Sequence, residues 1–275
     1  MQTLQVYQSL WAMERRSPDG FEFSDEQRFD MIAQAGFDGV CLDPAAHEID
    51  ACLARQPLFE KHGLGCMINA FPGSNDDLRL LLTLAREMRA SAVSIIGTVY
   101  PLTVAEAIPV VQGWIEISEE MGMPVMFETH RDCITNDMFF TLQLLDAIPE
   151  MRLCADLSHY VLNRELELPL TNEFADLFDR LLQRSDCFQG RIANREQIQV
   201  PIAFPQHAEW VELFKRWWEQ GFRSWRARNG EDADLIFLCE LGPPHYAITD
   251  ADGHELSDRW EEALTIKGWV EEIWA

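Results

Sequence analysis

Short apolar runs alternate with longer amphipathic segments along the chain, with a period of about 30 residues. The eight runs that predict strands are 4–10, 37–42, 64–70, 92–97, 124–128, 152–156, 187–192 and 235–240. The segments that predict helices are 24–35, 48–61, 75–89, 103–121, 135–147, 172–184, 207–228 and 258–274. Because parallel neighbours need a crossover between them, strands that alternate with helices indicate an α/β protein with a parallel sheet.

Eight strand–helix units match a closed (β/α)8 barrel, the TIM barrel. The 275 residues suit one such barrel and no composition break marks a linker, so we expect a single domain over residues 1–275. A doubly wound open sheet is the alternative, but no GxGxxG sequence follows the first predicted strand. Two connections, 160–171 and 194–206, are long enough to be lids or partner contacts.

Three of the predicted strands end in a carboxylate, at Glu128, Asp156 and Glu240. The C-terminal ends of barrel strands converge on one mouth, where TIM barrels place their chemistry. The alternation of side chains also turns Gln189 of the seventh strand inward at the same depth. Carboxylates that meet inside a barrel repel one another unless they are protonated or bind a cation, and a divalent metal is the simplest resolution.

Each of these acids also has a structural alternative. It can cap the helix after its strand, or it can pair with an arginine such as Arg131, Arg191 or Arg195. Arg191 shares the inward parity of Gln189. It can therefore anchor a substrate hydroxyl or carboxylate, or it can neutralise Glu240.

The charge balance excludes several classes of partner. Acidic residues number 46 against 22 basic ones, which gives a net charge of −24. Such a surface repels nucleic-acid phosphates and anionic membranes, so we expect neither partner. No apolar run approaches the roughly 18 residues that a membrane helix requires, and the N-terminus lacks the basic and apolar regions of a secretory signal. We expect a small-molecule substrate. The sequence leaves open whether the protein forms a homo-oligomer.

The positions of the cysteines and lysines bear on the redox state of the thiols and on Schiff-base catalysis. The seven cysteines are scattered without a CxxC pair, which indicates reduced thiols in a cytoplasm. The three lysines, Lys61, Lys215 and Lys267, all fall in predicted helices. A Schiff-base mechanism needs a lysine at a strand end, so the sequence argues against that chemistry.

Four segments, taken in order, resemble the xylose isomerase-like TIM barrels, which are the sugar isomerase and epimerase group. They are FETHRD (127–132), ADLSHY (155–160), GRIA with the downstream IQV (190–193 and 198–200), and CELGPPHY (239–246). In that family, an acid on each of strands five, six and eight and a histidine on strand seven hold one divalent metal. The resemblance therefore implies metal ligands at Glu128, Asp156 and Glu240.

Gln189 stands where that family has the strand-seven histidine. Three carboxylates with an amide oxygen favour Mn²⁺ or Mg²⁺, with Zn²⁺ or Co²⁺ left open. The replacement also leaves two alternatives, a barrel that binds metal poorly or one whose activity has changed.

Two histidines are candidates for substrate contacts. The resemblance implies that His159, three residues after Asp156, contacts substrate oxygens near the metal; the alternative is a histidine hydrogen-bonded in the first turn of the following helix. His130 lies two residues after Glu128 and can orient a ligand or a neighbouring carboxylate. Arg131, beside it, can pair with an acid.

Aromatic residues and the last loop complete the predicted mouth. Trp11, like Phe71 and Tyr100, lies near the end of a predicted strand, where it can stack on a sugar ring or pack in the core. His245 follows Gly242-Pro243-Pro244 and can line the site from the last loop. Those prolines lack N–H groups where many barrels hold phosphate, so a phosphorylated substrate is disfavoured.

The sequence thus predicts a divalent-metal-dependent isomerase or epimerase that acts on a sugar or a related polyol ketone. Glu128 and Glu240 would remove and return a proton through an enediolate. A sugar lyase or dehydratase is one alternative, and a catalytically impaired barrel that serves as a binding or partner subunit is another. A DNA-repair endonuclease of the same superfamily should carry extra histidine ligands and a basic cleft, and the sequence has neither.

Overall fold

The computed structural model describes residues 1–17 and 19–275. Within them, parallel strands follow one another in chain order around a closed barrel, and the last strand pairs with the first. The strands are β1 (Thr3–Ser9), β2 (Gly39–Leu42), β3 (Gly65–Ala70), β4 (Ala92–Ile95), β5 (Val125–Glu128), β6 (Leu153–Ala155), β7 (Ser185–Gln189) and β8 (Asp234–Cys239). The predicted (β/α)8 barrel is confirmed, and the doubly wound sheet is excluded.

Helices surround the barrel. They are α1 (Asp25–Gln34), α2 (Ile49–Leu53), α3 (Gln56–His62), α4 (Asn75–Glu87), α5 (Val104–Glu120), α6 (Met138–Ala147), α7 (Ser158–Asn163), α8 (Asn172–Leu182), α9 (Ala208–Arg228) and α10 (Arg259–Trp274). Short 3₁₀ turns occupy Trp11–Met13, Ala46–Glu48 and Pro205–His207. No helix among the described residues combines the length and the apolar character needed to cross a membrane.

Local sequence signals explain where several helices begin and end. Ser24 and Thr103 each close a capping box, with Gln27 and Glu106 respectively, so α1 and α5 start there. Gly63 ends α3 in the left-handed conformation, with a φ of 64°, which a residue without a Cβ adopts at little cost.

Two predictions about the helices are wrong. The segment 48–61 forms α2 and α3, because Pro57 lacks an N–H and favours a new helix start over continuation. The connection 160–171 is not irregular throughout, because its first residues belong to α7. That helix has one turn and a half and is buried over Ser158–Val161, so it lacks the polar face that makes a helix recognisable in sequence.

The apolar side chains form two separate cores. The larger core lies between the barrel and its helices, where Trp218 of α9 packs edge-on against Phe237 of β8 at 5.2 Å. A smaller core fills the barrel interior with Tyr7, Cys41, Met67, Met126, Cys154, Cys187, Ile236 and Leu238. The seven cysteines are buried free thiols.

Two helical glycines provide a test of how closely α9 approaches the barrel. A Cβ on Gly221 of α9 would overlap the ring of Phe188 in β7, whereas a Cβ on Gly113 of α5 would meet no atom within 4 Å among the described residues. Gly113→Ala should therefore raise stability by up to about 1 kcal/mol, the difference in helix propensity. Gly221→Ala should lower stability, because overpacking costs about 1–3 kcal/mol.

Thermal and denaturant unfolding of the two variants beside the parent protein would measure both effects. Equal stabilisation by the two substitutions would contradict the close contact between α9 and β7.

Candidate active site

Eight polar side chains line the carboxyl-terminal end of the barrel interior. Each strand contributes an apolar side chain to the interior, and the residue two positions later points the same way because side chains alternate. These second residues are all polar, and we call them the polar layer: Ser9, Asp43, Asn69, Ser94, Glu128, Asp156, Gln189 and Glu240. The three predicted acids and Gln189 therefore belong to one ring of side chains around the barrel mouth.

Arg191 is the cation at the centre of this ring. Its Nη1 donates to Asp156 Oδ2, and its Nη2 lies 3.7 Å from Glu240 Oε1. The side chains of Arg191 and Asp156 are at most 1% exposed. The guanidinium of Arg191 thus contacts both Asp156 and Glu240, while its predicted role in anchoring a substrate stays a prediction.

The environment of Asp156 keeps it ionised. Burial works to raise the pKa of its carboxyl, but the guanidinium of Arg191 and the ring of His159 outweigh burial and hold that pKa well below its usual range. The backbone N–H of Ser158 donates to Asp156 Oδ1 at 3.0 Å, and His159 Nε2 lies 3.4 Å from Oδ2. Asp156 is therefore an acceptor whose charge is already compensated.

The other two acids are electrostatically different. Burial raises the pKa of Glu240 to about 8, although Arg191 lowers it in part. Burial and the neighbouring Glu240 raise the pKa of Glu128 well above its usual value. Glu128 Oε2 and Glu240 Oε2 are buried and have no hydrogen-bond partner within residues 1–17 and 19–275. Carboxylates in such a state accept a proton or a cation readily.

A carboxylate oxygen of Glu128 lies close to two histidines. One potential ligand atom from each of Glu128, His130 and His159 lies within 4.8 Å of the other two, so the three residues can hold a metal ion. The rings of His130 and His159 are 4.2 Å apart between centroids. Burial, the other ring and Arg191 lower the pKa of His130 to about 3, so its imidazole is neutral and can ligate.

The residues around Glu128 fit a divalent cation. Besides Glu128 Oε2, the amide oxygen of Gln189 and Nδ1 of His159 are buried without a hydrogen-bond partner in the described part of the chain. A carboxylate, an amide oxygen and imidazole nitrogens are a donor set for divalent metals. The predicted set of Glu128, Asp156, Gln189 and Glu240 stays a prediction; in the structure, Asp156 and Glu240 bind Arg191 instead.

Tyr246, in the loop after β8, contacts two arginines. Arg131 Cζ lies 4.6 Å and Arg191 Cζ 4.8 Å from the centroid of its ring. Trp11 packs edge-on against the same ring at 5.2 Å. The neighbouring His245, predicted to line the site, is exposed instead. Cation–π contacts thus hold this loop across the site through Tyr246.

The predicted aromatic residues therefore separate into two groups. Trp11 lies at the mouth through its contact with Tyr246, whereas Tyr100 is 60% exposed and donates to the backbone oxygen of Asp132 at 3.3 Å. The expectation that Tyr100 packs in the core is wrong.

Sequence reasoning missed half of the polar layer. Ser9, Asn69 and Ser94 lie in the last residues of β1, β3 and β4, and Asp43 directly follows β2. The signal was present, because Leu42-Asp43 and Ile68-Asn69 repeat the pattern of an apolar run that ends in a polar residue. Burial raises the pKa of Asp43 to about 7, the kind of perturbation that marks functional sites.

Solved structures share this fold along their whole length. A xylose isomerase-like TIM barrel protein from Mycobacterium smegmatis, solved in complex with magnesium, gives a TM-score of 0.63 at 15% identity, with 98% of each chain covered. A D-allulose 3-epimerase from Methylomonas sp. gives 0.61 at 14% identity, also with 98% of each chain covered. A probable 3-DHS dehydratase from Bacillus anthracis gives 0.58 at 12% identity, covering 96% of this chain and 97% of that one.

No family model and no curated protein matches the sequence. At such identities, the likeness to the solved structures concerns the fold. The chain thus has the fold of the xylose isomerase-like TIM barrels, as its four motif segments predicted.

Proposed function

We propose that this protein is an isomerase or epimerase that acts on a sugar or a related polyol ketone by proton transfer through an enediolate. The observation that carries the proposal is the pair Glu128 and Glu240. Both are buried at the mouth of the barrel, both have a raised pKa, and each has a carboxylate oxygen without a partner among the described residues. Carboxyls tuned in this way serve as general acids and bases near neutral pH.

The two glutamates divide the proton transfer. One carboxylate removes the proton from the carbon next to the substrate carbonyl, and the other carboxyl returns a proton. Return to the same carbon from the opposite face gives an epimer, and delivery to the neighbouring carbon gives an isomer. Either glutamate fits either role, since their proton affinities are both raised.

We also propose a divalent metal, with Mn²⁺ or Mg²⁺ favoured and Zn²⁺ or Co²⁺ open. Glu128, His130 and His159 would hold it, because one ligand atom from each lies within 4.8 Å of the other two. The buried amide oxygen of Gln189, which has no partner among the described residues, is a further candidate ligand. When bound, such an ion polarises the carbonyl oxygen and acidifies the neighbouring C–H. Arg191 compensates the charge of Asp156 and contacts Glu240. The free thiols fit a cytoplasmic enzyme, whose partner would be a small molecule rather than nucleic acid or membrane.

A dehydratase is the second candidate. One solved structure of the same fold is a probable 3-DHS dehydratase. Loss of a β-substituent after the same proton abstraction would give a lyase, so products distinguish the two activities. A binding or partner subunit is the remaining alternative, and a protein without a stoichiometric divalent ion after Mn²⁺ loading would support it.

The first prediction concerns proton abstraction. With added Mn²⁺, the protein should exchange substrate hydrogen with solvent deuterium when screened against ketoses and inososes. Glu128→Gln and Glu240→Gln should each reduce this exchange by about 10²–10⁴-fold, the usual contribution of a general acid or base. Glu60→Gln, at an exposed position of α3, is the matched control and should retain the parent rate. Full turnover in both site variants would refute the proposed mechanism.

The second prediction concerns Arg191. Arg191→Met should destabilise the protein by about 3–5 kcal/mol, because it leaves a buried carboxylate uncompensated. Arg195→Met removes surface ion pairs with Glu165, Glu167 and Glu196 and should cost far less, because solvent screens exposed ion pairs. Denaturant unfolding of both variants measures the contrast. Similar losses for the two arginines would show that the ion pair with Asp156 contributes little.

The third prediction concerns pH. Asp43, Glu128 and Glu240 have raised pKa values in the folded protein, so between their ordinary range and about pH 8 the folded chain holds protons that the unfolded chain releases. Stability therefore falls as pH rises through this window. The lowered pKa values of His130 and His159 act in the opposite direction below about pH 6.5, and that of Asp156 does so only at acidic pH. The three carboxyls act over a wider part of the window, so the net effect is a loss of stability.

In EDTA, the Tm should accordingly be lower at pH 8 than at pH 5.5. Glu240→Gln should reduce that difference, because an amide does not titrate. A Tm that is constant or rises over this range would contradict the raised pKa values.

A further inference from the structure

A groove lies between α8 and the first half of α9, among the helices that surround the barrel. It has a volume of about 810 Å³, and none of the residues that line it belongs to the polar layer. The segment 168–170, just before α8, also contributes to its lining. This segment is part of the connection 160–171, which the sequence predicted to be a lid or a partner contact. We call this feature the α8–α9 groove.

The floor of the α8–α9 groove is apolar. Leu213 and Trp217 of α9 are each 4% exposed, and Leu168 and Leu170 are half-buried. The ring of Trp217 stacks on Phe178 of α8, with 4.3 Å between the ring centroids. These side chains pack as part of the larger core or directly against it, so the floor is a preformed surface.

Carboxylates dominate the rim of the groove. Asp176 and Asp179 of α8 face Glu209 and Glu212 of α9 across it, and Arg216 is the one cation among the lining residues. Asp179 accepts a hydrogen bond from Gln220 Nε2 at 2.6 Å, which leaves its charge in place.

Neighbouring cations do not neutralise this rim. Lys215 Nζ lies 3.6 Å from Glu212, and Arg180 pairs with Asp146 of α6. Asp176 and Glu209 are exposed and form no ion pair with any residue among 1–17 and 19–275. The groove therefore combines an apolar floor with a negative rim whose charge is largely uncompensated.

The shape and charge of the groove select its occupant. One common mode of recognition places an amphipathic helix in a groove, with its apolar side chains at i, i+3, i+4 and i+7 against the floor. The 11 residues of α8 span about 16 Å, the length of about three turns of such a helix. Basic residues beside the apolar face would lie against the carboxylates. A second copy of this chain, with its net charge of −24, is a poor match for the negative rim.

We propose that the α8–α9 groove docks a partner protein through an amphipathic helix that carries basic residues beside its apolar face. The groove lies outside the polar layer, so this inference does not depend on the proposed enzymatic activity. It gives the barrel a second surface, at which another protein binds while the mouth stays accessible.

The test uses a labelled peptide of about 14 residues, with leucines along one helical face and lysines elsewhere. A peptide of the same composition, scrambled so that no apolar face forms, is the comparison. Fluorescence anisotropy at physiological ionic strength, where salt screens unspecific attraction, measures both affinities. The full-length parent protein should bind the amphipathic peptide and should bind the scrambled one at least about tenfold more weakly.

Variants separate the rim from the floor. Asp176→Lys with Glu209→Lys should weaken binding by about tenfold or more, because two attractive contacts become repulsive. Ala175→Gln, at an exposed position that lines the groove, should weaken it by about fourfold or more, the equivalent of one buried methylene, without a change of charge. Circular dichroism and Tm establish that each variant is folded.

The matched control is Glu60→Lys with Glu116→Lys, at exposed positions of α3 and α5, which changes the net charge by the same amount. It should retain the parent affinity. Equal losses in the control and the rim variant, equal binding of the scrambled peptide, or no binding of the amphipathic peptide would overturn the proposal. Self-association of the parent protein that the rim variant abolishes would assign the groove to a second copy and overturn it as well; sedimentation measures this.

Discussion

The buried contact between Arg191 and Asp156 determines what the remaining acids can do. A closed parallel barrel brings the end of every strand to one mouth, and here that mouth collects Asp43, Glu128, Asp156 and Glu240. One guanidinium fully compensates only Asp156. Glu128 and Glu240 are left with raised proton affinity in a site closed to bulk water, which is the condition under which carboxyls exchange protons with a carbon acid near neutral pH.

The replacement of the strand-seven histidine by Gln189 changes the balance of the site. Gln189 offers an oxygen without a partner in the described residues, whereas Arg191, two positions later, brings a fixed positive charge into contact with two carboxylates. A cation therefore has its best donors on the Glu128 side, with His130 and His159. The arrangement separates a charge-compensated side of the ring from a side that still attracts positive charge.

The barrel and most of its polar layer could be predicted from sequence, because strand burial and side-chain alternation are local properties of the chain. Apolar runs that end in Glu128, Asp156 and Glu240 identified one half of the mouth, and the same reading extended to Leu42-Asp43 and Ile68-Asn69 would have found two residues of the other half. The sequence did not decide which acid pairs with Arg191, because ion pairing depends on packing between strands. The contact of Tyr246 with Arg191 could not be predicted, because Tyr246 lies in an irregular loop whose sequence has no helix or strand periodicity.

The burial of Glu128 and Glu240 has a kinetic consequence. With Glu128 at 1% and Glu240 at 7% exposure, a ligand reaches the two carboxyls only after neighbouring side chains have moved. For the proposed reaction, the rate of that opening would limit kcat from above. The apparent affinity for any ligand is likewise diminished by the fraction of molecules that are closed at a given moment.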